Sequence, residues 1–260
     1  PLIIQGARQV GKTYLMKWLG TARFARTAYF NFDERPELKS LFEANKDVDR
    51  IITELGFAAG FRLDSDSLLV LDELQDCPEA LGALKYFAER RPEIPVVCAG
   101  SLLGILLHSG HSFPVGKIEF ATLHPMTFRE VLPVWSPSSA EFLEGFGGLE
   151  AIPDYFFSDL QNLFKRYLVS GGMPQAVQAL TESGTLEACD RVLDNLLLAY
   201  RVDLAKHPKA SEVAKLSSIF DSLPSQLARE NNKFLYRLVR SGARAREYED
   251  SVEWLTRSGL

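Results

Sequence analysis

Two short runs and one strand end in this chain have residue types at spacings that chemistry can use. The first is Gly6-Ala7-Arg8-Gln9-Val10-Gly11-Lys12-Thr13, directly after the apolar run Leu2-Ile3-Ile4. G-x-x-x-x-G-K-T between a strand and a helix has the form of a phosphate-binding loop, or P-loop. The glycines let the backbone wrap closely around an anion, and successive N–H groups line the concavity. A helix beginning near Lys12 turns the positive end of its dipole to the same place. In this reading Gly6, Ala7, Arg8, Gln9, Val10 and Gly11 form the cradle, Lys12 reaches the β- and γ-phosphates, and the Thr13 hydroxyl binds Mg²⁺. Taken alone, a glycine-rich turn with an incidental lysine would look the same.

The second run is Leu68-Leu69-Val70-Leu71-Asp72-Glu73. Four apolar residues ending in two carboxylates read as a strand buried on both faces of a parallel sheet. Acidic groups at the carboxyl end of such a strand lie where open α/β sheets bind ligands. As a Walker-B pair, Asp72 joins the Mg²⁺ shell, usually through water, and Glu73 polarises a water for attack on the γ-phosphate. Acidic residues also favour helix N-termini, the plainer reading. The strand end is Gly100-Ser101, after the buried run Pro95 to Ala99. Ser101 there is a sensor of the γ-phosphate or an ordinary strand-end cap.

The nucleotide class follows from what accompanies these motifs. No aspartate has glycine at the D-x-x-G spacing, and in Asn45-Lys46-Asp47-Val48-Asp49 the second aspartate falls one residue too late for the guanine-reading N-K-x-D. ATP is therefore the expected nucleotide. A small-molecule kinase seldom needs a residue such as Glu73, and no arginine-rich lid follows the loop, so hydrolysis coupled to conformational change is expected over transfer to a metabolite.

Composition sets bounds. The 260 residues, 46% hydrophobic, suffice for an α/β domain and a smaller one. Lys+Arg of 29 against Asp+Glu of 34 gives no global support to nucleic-acid binding. Cys77, Cys98 and Cys189 lack paired or metal-ligand spacing and fit small buried side chains in a reducing, cytoplasmic setting. Pro95 to Leu107 is too short and too rich in Gly and Ser to span a bilayer, so no membrane is expected. The chain opens inside its first strand, as a fragment would.

Strands and helices alternate along the chain. A helix from Thr13 to Leu19 is followed by a strand over Thr27 to Phe32, then by helical stretches over Glu37 to Phe42 and Asp47 to Phe61. Pro78 opens a helix to Arg90. Ile118 to Leu123 reads as a strand, and His124 to Leu132 as a turn into a helix.

GARQVGKT, LVLDELQDCP, CAGSLLG, PVGK and LHPMTFREVL, in that order, resemble the prokaryotic AAA-like P-loop ATPases of the archaeal-ATPase group. The resemblance extends to Tyr167-Leu168-Val169-Ser170-Gly171-Gly172-Met173-Pro174. It implies an α/β P-loop NTPase three-layer sandwich, with a central parallel five-stranded sheet and the P-loop strand central, followed by an all-α lid and a winged-helix-like segment. Such proteins often carry a carboxy-terminal domain of unknown function, which is expected as a missing partner of this chain. The resemblance further implies that Gly172 and Pro174 help form the adenine pocket; a helix break between lid helices would need the same residues. The family usually has arginine after Gly116, a contact to the γ-phosphate in cis or from a neighbouring subunit. Here Lys117 stands there, and lysine lacks the planar fork that clamps two oxygens.

The domains expected are a core over 1–132, a linker or insertion over 133–154 rich in Ser, Pro and Gly, a helical lid over 155–204, and a truncated winged-helix-like segment over 205–260. Arg237, Arg240, Arg244, Arg246 and Arg257 bias the last segment towards DNA phosphates, but Glu247, Glu249, Asp250 and Glu253 interleave with them as on a salt-bridged surface helix. A protein contact or self-association is the other use of such a module. Two functions remain: an ATPase using ATP and Mg²⁺ to drive or time a conformational change, and a nucleotide-dependent switch or scaffold with little turnover.

Overall fold

The computed structural model of the chain describes residues 1–100, 116–147, 151–205, 210–229 and 233–257. They form two compact units. The first comprises residues 1–7, 11–123 and 209–260, the second residues 8–10 and 124–208.

The first unit is built on a parallel sheet. In chain order it contains β1 (Leu2–Gln5), α1 (Lys12–Arg23), β2 (Arg26–Asn31), a 3₁₀ turn (Pro36–Leu38), α2 (Lys39–Ala44), α3 (Val48–Ala59), β3 (Ser67–Asp72), a second 3₁₀ turn (Leu74–Asp76), α4 (Pro78–Arg90), β4 (Val96–Ala99) and β5 (Glu119–Thr122). The strand order is β2-β3-β4-β1-β5, and all four pairings are parallel. The P-loop strand is therefore flanked on both sides, but the middle position belongs to β4 and not to β1.

Alternation along the strands feeds two cores. Ile3, Phe30, Leu69, Leu71 and Cys98 face α2, α3 and α4, burying Phe42, Ile51, Leu55, Leu84 and Phe87. Ile4, Leu68, Val70, Val97 and Ala99 face the other way, around Met16 of α1. Every residue of β3 and β4 is buried, the expected signature of strands covered by helices on both faces. β5 departs from this: it is an edge strand whose four residues are all exposed. Burial pushes the Cys98 thiol up to about 12 and the Cys77 thiol up to about 11, which makes both poor nucleophiles.

The second unit is helical: α5 (Phe128–Trp135), α6 (Pro137–Gly145), α7 (Asp154–Ser170), α8 (Pro174–Ser183) and α9 (Leu186–Ala205). A capping box starts α5. Thr127 Oγ1 accepts from the Glu130 N–H at 3.3 Å, and the Glu130 carboxylate accepts from the Thr127 N–H at 2.7 Å. The backbone N–H of Thr127 holds the Glu130 carboxyl below its ordinary range. The stretch 133–154, expected as a linker or insertion, contains the end of α5 and all of α6. Pro137 takes the first position of α6, where proline needs no N–H partner. Ser139 is buried and donates to Asp159 at 2.8 Å.

The Gly172 turn between α7 and α8 is fixed tightly. Met126 donates its N–H to the Gly172 carbonyl at 2.8 Å, and the Met126 carbonyl accepts from the Tyr167 hydroxyl at 3.0 Å. Gly172 has φ of 69°, and a Cβ there would stand 2.0 Å from the Met126 oxygen. Gly172→Ala should therefore destabilise the fold by about 2–4 kcal/mol, the sum of a left-handed backbone penalty and a clash with a fixed carbonyl. Denaturant unfolding of the variant measures it.

The remaining helices, α10 (Ala210–Leu227), α11 (Tyr236–Val239) and α12 (Ala245–Arg257), belong to the first unit. Gln226 clamps the segment before α11 as a peptide group would: its Nε2 donates to the Leu235 carbonyl and its Oε1 accepts from the Leu235 N–H, each at 3.0 Å. Ser251 of α12 donates to Glu212 of α10 at 2.8 Å. The carboxy-terminal region is helical, and no strand follows Thr122 among the described residues.

Candidate functional site

The phosphate loop leaves the carboxyl end of β1 and turns into α1. Its backbone takes positive φ at Gly6 (150°), Gln9 (62°) and Gly11 (100°). Successive reversals of this kind turn N–H groups to one side and make an anion-binding concavity. Gly11 caps α1 without a side-chain hydrogen bond, so no side chain competes for the helix-start N–H groups. Lys12 is 7% exposed, and its Nζ donates to the carbonyls of Gly6 at 2.9 Å and Ala7 at 2.8 Å. The loop thus curls around its own ammonium, as a buried lysine requires.

The carboxyl end of β3 supplies the acidic side. Asp72 is 2% exposed, and its Oδ2 accepts from Thr13 Oγ1 at 2.7 Å. This one bond joins the two sequence motifs across 59 residues. Asp72 Oδ1 accepts from the Glu73 N–H at 3.0 Å. Glu73 follows in a left-handed conformation, φ 52° and ψ 49°, strained for a residue with a side chain. That reversal ends the strand and opens the 3₁₀ turn, where Gln75 Nε2 donates to Glu73 Oε2 at 2.6 Å.

A hydroxyl, a carboxylate and a lysine beside a positive-φ loop form a donor set suited to a magnesium-bound polyphosphate: hard oxygen ligands for the ion, N–H groups and an ammonium for the anion. The residues present fit both.

Tyr29 and Gln75 join the site although no motif names them. The Tyr29 hydroxyl donates to Asp72 Oδ2 at 2.9 Å. Burial, then the charge and hydrogen bond of Asp72, push this phenol well above its ordinary range, so it stays a donor. Only the pairing of β2 with β3 could have revealed Tyr29. Gln75 lies two residues past the acidic pair, near enough to have been considered.

Other expected residues fall elsewhere. Ser101 lies outside the described residues. Lys117 precedes β5 and lines a groove with Pro1, Pro95 and Ile94 at the amino-terminal edge of the sheet. The phosphate loop lies at the carboxyl-terminal edge, so the parallel sheet itself holds Lys117 away from the cradle of its own chain. This corrects the expected contact in cis. Arg8, Gln9 and Val10 group with the second unit, where Arg8 Nη1 donates to the buried Asp203 at 2.5 Å. Gly172 and Pro174 also lie in the second unit, as a tight turn and the first residue of α8. Arg237, Arg240, Arg244 and Arg246 are exposed, as are Glu247, Glu249, Asp250 and Glu253, giving a surface of mixed sign.

The five-stranded parallel sheet with helices on both faces, and a phosphate loop leading from β1 into α1, define a P-loop nucleotide-binding domain. Residues 1–132 match the family model described as AAA domain, and residues 161–260 match a domain of unknown function, DUF8612. The chain belongs to the AAA family, as the sequence motifs implied, and a carboxy-terminal domain of unknown function lies within it. No curated protein matches the chain. Among solved structures it is similar to C. elegans PCH-2 at 16% identity and a TM-score of 0.37, covering 74% of this chain and 60% of that one, less than two thirds of its length. A variant of Thermotoga maritima RuvB is 17% identical with a TM-score of 0.38, covering 99% and 80% of the two chains. Drosophila ORC bound to DNA is 14% identical with a TM-score of 0.40, covering 98% and 79%. Among the described residues no helix is long and apolar enough to cross a membrane.

Proposed function

We propose that this chain binds ATP with Mg²⁺ and hydrolyses it to drive or time a conformational change. The observation that carries the reading is the 2.7 Å bond from Thr13 to Asp72, which sets the acidic strand end against the phosphate loop. The loop N–H groups and Lys12 hold the phosphates, with the Lys12 ammonium exchanging the carbonyls of Gly6 and Ala7 for phosphate oxygens. Thr13 and Asp72 hold Mg²⁺, which when bound offsets negative charge on the phosphate oxygens. The Glu73 carboxylate orients a water and accepts its proton. The water oxygen bonds to the γ-phosphorus, the bond from that phosphorus to the β,γ-bridging oxygen breaks, and ADP leaves with the electron pair.

A second reading, a nucleotide-dependent switch with little turnover, is favoured by the Gln75 hydrogen bond, which engages the Glu73 carboxylate. Parallel measurements on the wild-type chain separate the two. Titration with ATP and GTP, with and without Mg²⁺, should give magnesium-dependent binding with ATP preferred, and phosphate release should show multiple turnovers. Binding without turnover would move the assignment to the switch, and equal affinity for GTP would remove the choice of ATP.

A further inference from the structure

The third donor on Asp72 has no part in the scheme above. Tyr29 stands on β2 in register with Val70 of β3, and Asn31, two residues later, is in register with Asp72. In-register neighbours of a parallel sheet share a face, so Tyr29 and Asp72 lie on one face, about 7 Å apart along the strands. A phenol spans that interval and a shorter side chain does not. Lys17 Nζ of α1 lies 4.1 Å from the ring centroid, a contact that leaves the hydroxyl to Asp72. Asp72 Oδ2 therefore accepts from two hydroxyls, Thr13 at 2.7 Å and Tyr29 at 2.9 Å, while Oδ1 accepts from the Glu73 N–H at 3.0 Å. A carboxylate has about four lone-pair sites, so these donors take most of them and concentrate on Oδ2.

We propose that Tyr29 is a positioning residue that sets the metal preference of the site by engaging Asp72 Oδ2. This rests on the nucleotide reading above. Mg²⁺ sheds its water reluctantly, whereas Ca²⁺ readily takes carboxylate oxygens in flexible geometry. A hydroxyl on Oδ2 keeps that oxygen from direct coordination and so disfavours the larger ion. Tyr29→Phe preserves the ring, its volume and the Lys17 contact, and removes only the hydroxyl.

The test measures binding of a fluorescent ATP analogue to the whole chain in EDTA and across Mg²⁺ and Ca²⁺ series, for wild type, Tyr29→Phe and Lys17→Met. Melting temperatures confirm that each variant folds. The expected result is unchanged affinity in EDTA for Tyr29→Phe, with its Ca²⁺ half-saturation concentration falling about tenfold relative to that for Mg²⁺, the scale of one charge-assisted hydrogen bond. Lys17→Met, which keeps the hydroxyl, should retain the wild-type ratio. Equal shifts for both ions, no shift, or the same change in Lys17→Met would each overturn the proposal. A wild-type chain that binds no nucleotide under any condition would instead remove the reading on which it rests.

Discussion

Glu73→Gln is expected to slow ATP turnover by about a hundred- to a thousandfold while leaving nucleotide affinity nearly unchanged, because it removes a proton acceptor and preserves shape. The variant amide oxygen can still accept from Gln75, whose Nε2 lies 2.6 Å from the native carboxylate. Glu73→Gly makes the contrast sharper. It removes the carboxylate and also the strain of a side chain at φ 52°. Turnover should fall as far, and stability should not fall at all, rising by up to about 1 kcal/mol. Phosphate release and urea unfolding on both variants provide the check. Wild-type turnover in Glu73→Gln would place the base elsewhere.

Lys12→Ala should weaken ATP binding by about a hundredfold or more. The ammonium is nearly buried and already makes two hydrogen bonds, to the Gly6 and Ala7 carbonyls at 2.9 and 2.8 Å. Handing those donors to phosphate oxygens yields charge-assisted bonds worth about 1.5–3 kcal/mol each. Alanine removes them and leaves two carbonyls facing the phosphates. Lys12→Arg should not restore affinity, because a planar fork needs more room than a compact ammonium. Competition against a fluorescent nucleotide measures both variants. Near-native affinity in Lys12→Ala would show that the backbone alone carries the anion.

Local chemistry made part of this molecule legible. The phosphate loop and the acidic strand end were readable because each packs its chemistry into a few consecutive residues. The strand at Leu68 and the helix from Pro78 to Arg90 were readable because burial on both faces and a proline start leave strong local patterns. What escaped depends on partners distant in sequence. Tyr29 reaches Asp72 only through strand register, and the position of β1 beside the edge follows from pairing that no local window contains. Ile118 just before β5 is buried, but Phe120 within it is exposed because β5 is an edge strand, a position no local window contains. Helix α6 was hidden by proline and serine acting as helix-start residues. Lys117 was placed by motif order, which says nothing about which end of a strand a residue occupies.

The strand order has a consequence for how the chain comes into being. β1 and β3 do not touch; β4, at Val96–Ala99, lies between them. The phosphate loop and the acidic strand end are thus brought together only after β4 has also left the ribosome, and closing so long a span is slow. Until then a growing chain carries the phosphate-loop sequence without its Asp72 partner in place. A nucleotide can recognise the finished sheet but has little to grip before it, which would make ATP a late stabiliser of a newly made domain rather than a template for its folding.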